Sequence, residues 1–139
     1  MSQLRDLQQM QRIVQVQYDQ KRQEFQKLVV REGYLRAELH RISALGRETA
    51  GEDIALQSIG ADILWRGWVG RAKTQINIEL AQTLALKRYH QDEVRQAFGK
   101  LQVVEQLIEK LRNEAKKSMV EQALNTAIEQ HLLHSQTTS

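Results

Sequence analysis

Few side chains in this chain could do chemistry, and the histidines come first. There are four, His40, His90, His131 and His134, and the last two stand in "HLLH". Three residues apart on a helix, they could touch one metal ion. The nearest carboxylate, Glu129, stands about 200° around the helix from His131, no further histidine lies near, and a three- or four-ligand site needs more than a pair. The expectation is no metal and no other cofactor. "GWVG" spaces two glycines three apart, but no strand precedes it and no phosphate-binding loop follows. No GxxxxGK[ST] run exists to cradle a nucleotide phosphate. Serines and acids show no nucleophile or paired-carboxylate arrangement. The absence of cysteine excludes a disulfide framework and thiolate ligands, and suits a reducing cytoplasm. These observations lead to the expectation that the protein is not an enzyme and has no catalytic residue.

The elements that would position such residues follow from composition and periodicity. The 139 residues are 41% hydrophobic, 5% aromatic and 27% charged, which supports a narrow apolar seam better than a thick core. Proline, which removes a helix donor and clashes with the preceding turn, is absent. A proline-free chain rich in Gln, Leu, Ala, Glu, Lys and Arg has the make-up of a long helix or coiled coil. "MSQLRDLQQMQR" carries charges and glutamines where a signal peptide needs an apolar core, so secretion by that route is not expected. No apolar run approaches bilayer-crossing length. The net charge is +3, with nine basic and six acidic side chains in residues 1–48 and eleven of each afterwards. That excess is diluted along a helix rather than gathered into a stripe, so no nucleic acid partner is expected.

A seven-residue repeat marks the first arm. One series is Leu7, Val14, Lys21, Leu28, Leu35 and Ile42; the other is Gln11, Tyr18, Phe25, Glu32, Leu39 and Gly46. Eight of these twelve are apolar, the pattern of helices in a left-handed supercoil. Lys21 and Glu32, the charged exceptions, are read as register devices. Gly46 suits a left-handed residue closing the helix, and Thr49 with Glu52 has capping-box spacing for a restart. A short connection makes the two helices antiparallel neighbours. The second arm carries a stripe of Val69, Ile76, Leu80, Leu84, Val94, Phe98, Leu101, Ile108 and Leu111, interrupted by Lys87, Gln91 and Glu105, with a stutter near Leu101 to Val104. Ser118 and Glu121 repeat the capping signal before Met119, Val120, Ala123, Leu124, Ala127, Ile128 and Leu132.

The expected fold is therefore all-α, an antiparallel two-helix coiled-coil hairpin with a longer second arm. In this single elongated domain, arm one covers about 3–46, the turn about 47–60 and arm two about 61–117; a C-terminal helix or extension occupies about 118–133 and a frayed tail 134–139. With the turn centred between Gly46 and Gly60, Met1 falls opposite roughly residue 95–105. Phe98, Leu101, Val104, Ile108 and Leu111 then lie partly or wholly without a partner, and a bare apolar stripe marks an interaction surface. "ILWRGWVGRAK" concentrates both tryptophans, Trp65 and Trp68, with Gly67 and Gly70. Three apart on a helix, they share a face with Val69, Ala72 and Ile76. They either cap the core against Tyr34, Leu35 and Leu39 or form a docking patch, and one pointing inward and one outward satisfies both.

"LQQMQRIVQVQYDQKRQEF" and "QINIELAQTLALKRYHQDEVRQAFGKLQVVEQLIEKLRNEAKK", above all residues 97–114, resemble the FliJ family of the flagellar type III protein export apparatus. The resemblance implies a cytoplasmic stalk at the inner face of the membrane export apparatus. Proteins of that family are similar to the central coiled coil of rotary ATPases, insert into the export ATPase hexamer, and contact the export gate and substrate chaperones. It implies an ATPase-facing surface over Phe98 to Leu111 and a gate contact over Val69, Lys73, Ile76 and Leu80, beside the tryptophans. A monomer is expected rather than a homodimer; the alternative is a homodimeric coiled-coil scaffold unrelated to export. A virulence injectisome counterpart fits the same residues.

Overall fold

The computed structural model describes residues 2–50 and 59–137, which form two helices, α1 (Ser2–Ala50) and α2 (Ile59–Thr137). They pack against each other as an all-α helical hairpin. No helix among the described residues is long and apolar enough to cross a membrane. Thr49 belongs to α1, whereas Glu52, its expected capping-box partner, and most of the expected turn lie outside the described residues.

The helix boundaries differ from the sequence expectation in two places. Helix α1 does not stop at Gly46; it runs on to Ala50, and no described glycine has a positive φ. Gly46 has a different use: a Cβ there would stand 3.2 Å from Val69 Cγ1, so the missing side chain lets α2 seat closely on α1. Of the two readings at Ser118, a new helix or an extension of the arm, the structure has the extension, because a single α2 passes through it. That helix also absorbs His134 to Thr137, which the sequence suggested would fray.

The contacts divide the chain into two units, Asp19–Gln96 and Met1–Tyr18 with Ala97–Ser139. In Asp19–Gln96 the core is Leu35, Ile42, Val69, Ile76 and Leu80, with Leu39, Trp65 and Ala72 packed against it. In the other unit, Val14, Leu101, Val104 and Ile108 are buried, backed by Leu4, Leu7 and Tyr18. All twelve heptad positions read from α1 are buried or half-buried.

In α2 the seam is more regular than its apolar residues suggest. Val69, Lys73, Ile76, Leu80, Thr83, Lys87, His90 and Val94 are all buried or half-buried, in alternating steps of four and three. In the second unit, Ala97, Leu101, Val104, Ile108 and Leu111 keep the same steps. There is no stutter. It arises only when Leu84 and Phe98 are assigned to the seam, and these are 38% and 43% exposed. Thr83, Lys87 and His90 hold the seam positions between Leu80 and Val94, the first two accommodated by hydrogen bonds. Thr83 Oγ1 donates to the Glu79 carbonyl at 2.8 Å. Lys87 Nζ reaches Glu32 Oε1 at 2.8 Å, and His90 faces two carboxylates. On α1 the charged heptad exceptions are the partners: Glu32 meets Lys87, and Lys21 Nζ meets Glu93 Oε2 at 3.0 Å.

The Glu32 pairing has a consequence for acid stability. The hydrogen bond from Lys87, reinforced by that from Arg36, holds the Glu32 carboxyl below its ordinary 4.5. A carboxylate with a lowered folded value contributes fully above the unfolded value and loses that contribution as pH falls through the folded one. The thermal midpoint is expected to decline as pH drops below about 4.5. In Glu32→Gln that decline is shallower, although the variant starts from a lower midpoint at pH 7. Circular dichroism melts between pH 7 and 3 provide the check.

Candidate functional site

Apart from Trp68 and Phe98, the residues singled out on the second arm are not a free surface. Val69, Ile76 and Leu80 are core residues at 7%, 8% and 8% exposure. Their side chains face α1, so they cannot be the gate-contacting surface that the resemblance implies. Leu101, Val104 and Ile108 are buried as well, at 5%, 5% and 4%, and Leu111 is half-buried. The expected bare stretch from Phe98 to Leu111 is therefore mostly covered. Leu4, Leu7, Val14 and Tyr18 of α1 lie over it, and Leu7 also lines a groove with Leu107 and Leu111. The physical reason is the longer α1. With Gly46 against Val69, the hairpin centre falls later than midway between Gly46 and Gly60, and each residue of delay moves the α2 partner by two. Phe98 alone is half-open, with its ring 5.6 Å from that of Tyr18.

The tryptophans divide as the sequence allows. Trp65 is half-buried against the Leu35–Ile42–Val69 core. Trp68 is 44% exposed and stacks on Trp65, with ring centroids 5.2 Å apart and planes at 21°. Trp65 thus closes the core, and Trp68 lies over Trp65 facing solvent. Tyr34 is 60% exposed and no part of this core. Beside the pair, Gly46, Arg47, Trp65, Arg66 and Lys73 line an open cleft of about 310 Å³. Lys73 is half-buried there, and Arg66 pairs with Asp62 at 3.3 Å.

Gly67 and Gly70 do not admit a neighbouring backbone among the described residues. A Cβ at Gly70 meets nothing within 4 Å, and one at Gly67 meets only the Arg71 side chain. A glycine in a helix interior costs about 0.8–1.0 kcal/mol relative to alanine. Gly70→Ala is therefore expected to stabilise the protein by about 1 kcal/mol in urea unfolding.

The surface that is bare lies further along α2. Every described residue from Arg112 to Thr137 is exposed. Continued past Leu111, the four–three steps reach Ala115, Ser118, Gln122, Asn125 and Glu129, which are small or polar, before Leu132. Most apolar residues have left that line: Val120, Leu124 and Ile128 recur every fourth residue, beside Met119, Ala123 and Ala127, and Leu132 alone falls back on it. At about 100° per residue those off the line centre roughly 200° around the helix from Ser118. Their exposures are 67%, 59%, 50% and 55% for Val120, Leu124, Ile128 and Leu132. An apolar stripe on the side away from the seam is unsuited to packing on α1 and suited to something else. Residue pattern alone marks the amphipathic segment; only the register shows that it, and not Phe98 to Leu111, is uncovered.

Compared with models of protein families, with curated proteins and with solved structures, the chain matches none.

Proposed function

We propose that the chain is a non-enzymatic stalk or adaptor of a flagellar-type protein export apparatus, docking on the export ATPase through the last part of α2. The carrying observation is the exposed stripe Val120–Leu124–Ile128, out of phase with the seam. The likeness of residues 97–114 to FliJ-type sequences supports the same reading. It moves the ATPase-facing surface from Phe98–Leu111, where side chains are engaged with α1, to residues 112–137. The half-exposed Trp68, with Arg66 and Lys73 near it, is the surface left for a gate or chaperone contact, since aromatic and Arg side chains dominate interface hot spots. A partner of this kind is moved by packing and needs no reaction centre.

Tagged protein expressed in a flagellated cell is expected to co-purify with the hexameric export ATPase. Recovery of no export component contradicts the proposal. The same stripe would also serve a second copy, which is the scaffold reading. A stable dimer at micromolar concentration in sedimentation, dissociated by Leu124→Glu, favours that alternative.

A further inference from the structure

We propose that Glu24, His90 and Glu93 form a binding site for a divalent transition ion, of which zinc is the type. His90 Nδ1 lies 3.4 Å from Glu24 Oε2 and 3.4 Å from Glu93 Oε2. One potential ligand atom from each of the three residues lies within 4.8 Å of the others. Among the described residues, His90 Nδ1 is the one buried side-chain nitrogen or oxygen without a hydrogen bond. The two facts agree. The carboxylate oxygens are within ion-pair reach but farther than the usual 2.7–3.2 Å of an N–H···O bond.

That spacing is what a cation needs. Ligand atoms held at about 2.0–2.1 Å from a tetrahedral zinc stand about 3.4 Å apart. Imidazole and carboxylate are a donor set that first-row divalent ions accept. Glu24 is half-exposed, so solvent can supply a fourth position. The surroundings resemble an outer shell. The Tyr89 hydroxyl donates to Glu93, and the Tyr89 ring meets the His90 ring edge-on at 5.3 Å and 80°, a type of contact that orients ligands. Lys21 competes, since its ammonium already bonds Glu93 Oε2. Its side chain is 37% exposed, so the long stem can swing the charge into solvent when an ion arrives. Glu24 lies on α1, and His90 and Glu93 lie on α2 within the same unit. An ion there ties the two helices together. The local sequence gives little warning, because the third ligand is on the other helix.

The reading is independent of any role in export. The simpler alternative is that these residues only set helix register. Zinc chloride titrated calorimetrically into chelator-stripped full-length protein distinguishes the two. One ion per chain is expected, with affinity reduced at least about tenfold in both His90→Ala and Glu24→Gln. Lys21→Met is expected to tighten binding, and the double variant His131→Ala/His134→Ala to leave it unchanged. Zinc raises the thermal midpoint of the wild type and not that of Glu24→Gln, whose half-exposed site leaves helicity intact. No uptake, or uptake that Glu24→Gln leaves unchanged, overturns the proposal. So does uptake abolished by the His131/His134 double variant.

Discussion

Leu35→Ala is expected to destabilise the protein by about 2–5 kcal/mol, a large share of the whole for a slender hairpin. Leu35 is the largest fully buried side chain, at 2% exposure, and it shares one cluster with Ile42, Val69, Ile76 and Leu80. The loss combines the removed transfer energy with the cavity left behind. A two-helix seam has no further layer to collapse into that space, so the upper half of the range is favoured. Val30→Ala on the same helix removes a side chain that is 64% exposed and is expected to change stability by no more than about 0.5 kcal/mol. The urea midpoints of the two variants make the comparison. Equal effects would mean that α1 does not meet α2 in this register.

The second large effect falls on binding. Leu124→Glu/Ile128→Glu is expected to weaken capture of the export ATPase at least about a hundredfold, as loss of two central apolar anchors does. Each carboxylate would have to be desolvated in an apolar contact without a partner. Folding is expected to be untouched: both side chains are at least half exposed, and glutamate is a good helix former. Leu101→Glu provides the contrast. At 5% exposure it places a charge in the Val14–Val104–Ile108 core and is expected to unfold that unit. A variant that binds poorly but melts normally therefore reports on the surface and not on the hairpin.

The two arms differ in how far their residues reveal the structure. In α1 the seven-residue spacing alone finds the buried face, including Lys21 and Glu32, because period outweighs residue type there. In α2 the apolar residues mislead. Leu84 and Phe98 are large and hydrophobic yet stand at the seam's margin, while Thr83, Lys87 and His90 occupy it. Thr83 is satisfied by the Glu79 carbonyl of its own helix, and Lys87 and His90 face carboxylates of α1 that the pattern of α2 does not contain. Gly46 misleads for a similar reason. A glycine that ends a helix and one that admits a neighbouring helix look the same in sequence. Because α1 continues past it, the second arm's partnered stretch is longer than the sequence suggests, and the bare surface moves from Phe98–Leu111 to the segment after Arg112. The tryptophans were legible as a pair sharing one face, and the structure adds which one is exposed. The Glu24–His90–Glu93 cluster was not legible, since its ligands belong to two helices.

Thiol labelling at position 124 is the most direct test of whether the end of α2 is a surface kept open for a partner. The chain has no cysteine, so Leu124→Cys carries a single reporter, and Val104→Cys serves as the covered reference. Cys at 124 is expected to react at the rate of a free thiol in the isolated protein and at least about tenfold more slowly once the export ATPase hexamer is added. Cys at 104 is expected to stay protected throughout. Protection of position 124 in the isolated protein, or a rate that the ATPase leaves unchanged, would contradict the reading.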